Sequence, residues 1–224
     1  MKKWYCQQFN FNLNLITPNW AIKKNFLNCL IYCYINNKLW NTKSFILAAR
    51  LNRIICLQYM YKNYCCWNEY TIYEATINDN LECMKFAIEN ECLFKKRLVA
   101  KYATYSSGIK CLTYLFNKKF PIDKDVSALA AGNGNLEALR FSFNNNFPRS
   151  KWICSLAAES GNLECLQFAF DNNCIWDKTV CEFAAYRNNL DCLIFAHKKK
   201  CPYEKEDLLI YTKSTCLHYI KTYM

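Results

Sequence analysis

A chain of 224 residues with 53% hydrophobic and 21% charged residues can bury a core without disulfide or metal staples, which excludes disorder as its default state. Four Gly and four Pro exclude a turn-dense all-β protein and favour helices joined by short links. The formal net charge of +11 puts acidic partners, nucleic acid among them, on the list of alternatives to weigh.

Residues 1–16 carry two lysines but no unbroken apolar run that could form the core of a signal peptide. The alternation of apolar residues with Asn from Phe9 to Ile16 suits an extended segment that caps the first repeat unit. Thr17 as N-cap and Pro18 at the first helical position open the first helix, which brings in the small apolar pair Ala21 and Ile22. The most apolar run, Phe26 to Ile35, has about half the ~20 residues of a spanning helix and is interrupted by Asn28, so no membrane insertion is expected. No Asn-x-Ser/Thr sequon occurs, which fits an intracellular chain.

From Cys29 onward the sequence repeats. Cys29, Cys56, Cys83, Cys111, Ala138, Cys165 and Cys192 follow one another at 27, 27, 28, 27, 27 and 27 residues. Nine residues after each comes a second column: Lys38, Cys65, Cys92, Phe120, Phe147, Cys174 and Cys201. Small pairs precede the first column at Ala48-Ala49, Ala75-Thr76, Ala103-Thr104, Ala130-Ala131, Ala157-Ala158 and Ala184-Ala185, where two helices can approach closely. Around the first column, apolar residues at offsets −2, +1, +3 and +4 make one helical stripe, which for the unit at Cys165 includes Leu163, Leu166 and Phe168. Asn80, Asn135, Asn162 and Asn189 stand where side chains cap a second helix, and Asn37, Asn146 and Asn173 where a left-handed residue stops it. Each unit therefore reads as helix, tight turn, helix, short link. The segment Ser214 to Ile220 repeats the pattern with Cys216 only 24 after Cys192, a shortened terminal unit.

The segment AAESGNLECLQFAFDNNC, from Ala157 to Cys174, resembles the second half of an ankyrin repeat. Its Leu-Glu-Cys-Leu and closing Asn-Asn-Cys-x-Trp-Asp are similar to the ankyrin-like repeats abundant in large DNA viruses of amoebae. The resemblance covers roughly residues 17 to 220. It implies an all-α fold: an α-solenoid of stacked helical hairpins, with residues 1–16 as an N-terminal cap, 17–207 as about seven units and 208–224 as the shortened C-terminal unit. The 27-residue period falls short of the ~33 of an ordinary ankyrin unit, so the β-fingers are expected to be reduced or absent. The extra residue of the one 28-residue gap lies in the basic link Phe94 to Ala100.

Sixteen cysteines invite a search for metal and disulfides, and the columns answer it. Ala138 replaces a first-column cysteine, and Phe120 and Phe147 replace second-column ones, so these positions select a small or apolar side chain. No zinc-type Cys pairs occur, and with no secretion signal the thiols are expected reduced. A nucleophilic cysteine needs a base in reach, but Cys216 and His218 are two apart on a helix and point different ways. AGNGN, Ala131 to Asn135, falls in the ordinary turn register and lacks the strand and third glycine of a dinucleotide loop. No enzyme activity, metal, cofactor or small-molecule substrate is expected.

The expected function is a protein-binding scaffold or adaptor, by resemblance viral and acting on host proteins. Its variable first-helix face would carry Tyr73, Ile77, Lys101, Tyr105, Ser155, Glu159, Glu182 and Tyr186, which by resemblance lie on the concave side. A basic edge of Lys95, Lys96, Arg97, Lys118, Lys119, Lys198, Lys199 and Lys200 is read as solvated cations at the C-terminal ends of second helices. Two alternatives stay open: a structural component of a virus particle, and a basic nucleic-acid-associated repeat protein.

Overall fold

A computed structural model describes residues 15–63, 67–212 and 214–224. Among the described residues there are helices and turns but no strands, and the architecture is an α-solenoid of helical hairpins. Two compact units divide the chain, Met1–Ala103 and Thr104–Met224.

The first unit holds α1 (Pro18–Lys24), α2 (Leu27–Ile35), α3 (Thr42–Arg50), α4 (Ile54–Asn63), α5 (Glu69–Ile77), α6 (Leu81–Glu89) and α7 (Lys96–Tyr102). Thr17 opens α1 as expected: its hydroxyl accepts from the Trp20 amide at 3.2 Å and Pro18 occupies the first turn. Ile16 is buried ahead of it, its carbonyl accepting from Lys38 Nζ at 3.0 Å and from Cys33 Sγ at 3.7 Å. Leu15 is exposed, and residues 1–14 of the expected N-terminal cap lie outside the described residues.

The second unit holds α8 (Lys110–Asn117), α9 (Asp125–Gly132), α10 (Leu136–Asn144), α11 (Ile153–Glu159), α12 (Leu163–Asp171), α13 (Lys178–Tyr186), α14 (Leu190–Lys198), α15 (Lys205–Tyr211) and α16 (Ser214–Tyr223). The last hairpin begins at Lys205, so the expected boundary at 207/208 falls inside α15. The link before α8 runs from 103 to 109, where 133–135, 160–162 and 187–189 suffice elsewhere.

First helices carry the closest packing. α3 lies on α5, and α9 on α11 and α11 on α13, more broadly than neighbouring second helices touch. The cause is the small pairs, which are buried from Ala48-Ala49 to Ala184-Ala185 and let the backbones approach. In the second helices the fully buried columns are the first column itself and offsets +1 and +4: Cys165, Leu166 and Ala169 in α12, for example. The expected stripe is narrower on its flanks, because Leu163 and Phe168 are only half-buried.

Phe168 and its equivalents instead pair with an aromatic of the preceding second helix. Tyr34–Tyr59, Tyr61–Phe86, Phe116–Phe141, Phe143–Phe168 and Phe170–Phe195 have centroids 6.3, 5.5, 5.7, 5.2 and 5.8 Å apart and edge-to-face geometry. Trp67 and Trp176 close two of these pairs into triads.

The Asn column works differently from expectation. Only Asn135 also caps its own helix, accepting from the Ala138 amide at 2.9 Å. Asn80, Asn162 and Asn189 make no such bond. Their amides reach back one hairpin to the carbonyls at the end of the preceding first helix: Ala49 and Arg50 at 2.8 and 2.9 Å, Ala131 and Gly132 at 3.2 and 2.8 Å, Ala158 and Glu159 at 2.9 and 2.7 Å. Helix C-termini leave carbonyls without partners, and here the neighbouring repeat supplies the donors. Many of the turns also contain a left-handed residue. Asn37, Asn146 and Asn173 take it after second helices as expected, and Gly134, Gly161 and Asn188 take it between the helices.

Candidate functional site

The first helices of the second unit are two-faced. In α13, Val180, Cys181, Ala184 and Ala185 are buried, which leaves Glu182, Phe183 and Tyr186 on the other side at helical spacing. In α11 the buried set is Ile153, Cys154, Ser155, Ala157 and Ala158, and Leu156 and Glu159 lie on the open side. Trp152, at the start of α11, is 41% exposed and its ring stacks on Phe183 at 6.5 Å with planes 14° apart. Tyr186 is 57% exposed, and Ile210 of α15, one repeat after Phe183, is 69% exposed. A hollow of about 400 Å³ lies among Glu182, Phe183, Tyr186 and Asp207.

Charges rim this face. Lys178 Nζ stands 3.2 Å from Glu182 Oε1 and 3.3 Å from Asp207 Oδ2, and the hydrogen bond to Glu182 chiefly raises its pKa. Arg187 joins Glu159 at 2.8 Å, which raises the guanidinium pKa, and lies over the Tyr186 ring at 5.3 Å. Lys151 Nζ lies 4.6 Å above Trp152. Three carboxylates and two bridging cations thus surround an aromatic centre. In the first unit a comparable pair, Arg50 with Glu74 at 2.8 Å, links α3 to α5.

The expected face residues divide. Tyr105 and Tyr186 are exposed, but Tyr105 is a correction, since α7 ends at Tyr102 and leaves it in the link and not on a first helix; Ile77 and Lys101 are half-buried, and Glu159 and Glu182 carry the ion pairs just described. Tyr73 and Ser155 are corrections, buried to 3% and 1% exposure. Tyr73 OH accepts from the Lys95 amide at 3.0 Å and its ring packs on Tyr102 at 4.5 Å; Ser155 Oγ donates to the Trp152 carbonyl at 3.4 Å. Tyr73 and Ser155 border the small pairs and turn inward, Lys101 and Glu182 at the equivalent places stay half-buried, and the following column of Leu156, Phe183 and Ile210 lies further out. That is why Phe183, Leu156 and Ile210 were missed: apolar residues beside a core pattern read as core, and only a helical wheel anchored on the Ala pairs separates them.

The basic clusters also divide. Lys118 and Lys199 follow α8 and α14 directly, as expected for cations at C-terminal ends, and Lys199 Nζ lies 5.1 Å over Phe170. Lys119 and Lys200 hold left-handed turn positions. Lys95, Lys96 and Arg97 are a correction: they open α7, at the helix end where the dipole disfavours cations.

Burial pushes the Cys83 thiol up to about 12 and those of Cys165, Cys192 and Cys216 to about 11, so these columns are poor nucleophiles. Among the described residues no group of three or more His, Cys, Asp or Glu could hold a metal ion. His197 Nδ1 is engaged by Tyr219 OH at 2.9 Å.

No family model and no curated protein matches this sequence. Among solved structures the chain is similar to the ankyrin repeat domain of human ASB11, with a TM-score of 0.58 and 14% identity over 79% of this chain and 96% of that one. The likeness is one of fold: the chain folds as an ankyrin-like stack of helical hairpins.

Proposed function

We propose that the protein is a non-enzymatic interaction scaffold that binds a protein partner through the first-helix face of its second unit. The single observation that carries this is the aromatic centre in which exposed Trp152 and Tyr186 flank half-buried Phe183, held on helices whose other side is locked in the core. Rigid aromatic anchors lose little entropy on binding and dominate interface energetics. Tyr105, exposed in the link before α8, is a separate candidate contact. An ankyrin-like fold agrees with such a role. Among the described residues no helix is long and apolar enough to cross a membrane. The finer reading is an intracellular protein of a large DNA virus acting on a host protein, supported by the Leu-Glu-Cys-Leu repeat signature.

The test is co-purification from native cells at two salt concentrations, with and without nuclease. Phe183→Asp and Tyr186→Ala should abolish a salt-resistant protein partner, while Lys198, Lys199 and Lys200 changed together to Gln should retain it. Loss of the ligand in the lysine variant, with retention in the aromatic variants and nuclease sensitivity, replaces this reading with nucleic-acid binding.

A further inference from the structure

Two pairs of cysteines occupy equivalent places in consecutive hairpins. Cys154 lies in the first turn of α11 and Cys174 in the link after α12; Cys181 of α13 and Cys201 after α14 repeat the arrangement 27 residues on. In each pair the first-helix thiol donates a hydrogen bond to the sulfur in the link. Cys201 Sγ donates onward to the Asp177 carbonyl at 3.1 Å. Neighbouring units lack the pair, with Ser127 and Phe147 or Ala100 and Phe120 in its place. The two pairs differ in access: Cys154, Cys181 and Cys201 are buried, and Cys174 alone is half-exposed.

We propose that Cys154 and Cys174 are a redox-modification site, a dithiol that a small-molecule disulfide such as oxidised glutathione converts into an intrachain disulfide. Cys174 is the entry point and Cys154 the resolving thiol. The Cys174 thiolate attacks one sulfur of oxidised glutathione, forming a mixed disulfide and releasing one glutathione thiolate. Cys154 then loses its proton and attacks Cys174 Sγ, closing the Cys154–Cys174 bond and expelling the second glutathione thiolate. The two cysteines give up two electrons and two protons, and the glutathione disulfide becomes two thiols. The environment suits this order. The hydrogen bond from Cys154, with the nearby Arg149 charge, holds the Cys174 thiol below its ordinary range, whereas Cys154 is pushed up chiefly by that same bond. The link after α12 is thereby pinned to the start of α11, two residues from Trp152. The inference is independent of the protein-binding reading.

The test uses the full chain, exposed to graded oxidised glutathione, alkylated without reduction, digested and mapped by mass. The Cys154–Cys174 linked peptide should appear at least about tenfold faster than any oxidised peptide containing Cys165 or Cys192, because access and thiolate character set the rate. Cys154→Ala should trap a glutathione adduct on Cys174, and Cys174→Ser should leave Cys154 unmodified. Both positions accept other residues in neighbouring units, and the unsubstituted chain carries the main readout in any case. Equal or faster linkage of Cys181 to Cys201 overturns the proposal. So does a Cys174 that stays alkylatable while oxidation falls on other cysteines.

Discussion

Gly134 and Asn162 fit together across two hairpins: a Cβ at Gly134 would stand 2.6 Å from Asn162 Oδ1, while the Asn162 amide donates to Ala131 and Gly132. Gly161 and Asn189 repeat the relationship at 2.9 Å. The Gly of one turn thus makes room for the Asn that ties the next repeat to it.

Asn162→Ala should therefore cost about 1–3 kcal/mol by orphaning two carbonyls. Gly134→Ala should cost about 1–2 kcal/mol from its positive φ of 71° alone, before the collision is relieved. Gly132→Ala is the control, since its nearest neighbour is Leu156 Cβ at 3.4 Å and a helical Ala gains about 0.5–1 kcal/mol. Chemical denaturation measures all three, and an equal loss at both glycines would defeat the account.

Leu166→Ala should cost roughly 2–5 kcal/mol through a core cavity. Phe168→Ala should cost less, since the ring is half-buried and loses the edge-to-face contact with Phe143 at 5.2 Å and the Arg140 guanidinium at 4.7 Å. Gln167→Ala, on the exposed side, should leave the melting temperature unchanged. If Phe168→Ala proves the most damaging, the core columns are misassigned.

Lys119, Lys200 and Glu91 hold left-handed conformations at φ of 57°, 56° and 59°. Each changed to Gly should raise stability by a few tenths to about 1 kcal/mol, because Gly removes the Cβ penalty at a helix-stopping position while adding chain entropy. A clear destabilisation in all three would show that these side chains contribute contacts outweighing the strain.

The raised thiols set an alkaline limit. Their native pKa values, about 11 for Cys165, Cys192 and Cys216 and about 12 for Cys83, exceed the ordinary 9.0. The native state therefore holds protons that the unfolded chain releases, and stability present below about 9 falls as pH rises toward the native values. Thermal melts across that range should show the fall, and Cys165→Ala, which copies the natural Ala138 of the preceding unit, should lessen it by removing one of the four thiols. In the same native chain Cys165 and Cys192 should resist thiol reagents until denaturant is added.

The sequence alone determined the periodic part of this protein. A 27-residue recurrence of small pairs, thiols and Leu, punctuated by Asn, specifies hairpins because helix, turn and contact are all local to one unit and its neighbour. It also placed the Thr17 cap, the left-handed Asn37, Asn146 and Asn173, and the buried cysteine column. What the tertiary structure decided were the choices that periodicity leaves degenerate. Two adjacent columns on a first helix differ by about 100° of rotation, and only packing against the next hairpin shows that Tyr73 and Ser155 turn inward while Phe183 and Ile210 turn outward. An Asn before a helix can cap its own amides or reach back to a neighbour's carbonyls, and the choice depends on where that neighbour's helix ends. The contacts of Cys154 with Cys174 and of Trp152 with Phe183 join residues 20 and 31 apart, set by how hairpins fold and stack and by no local propensity.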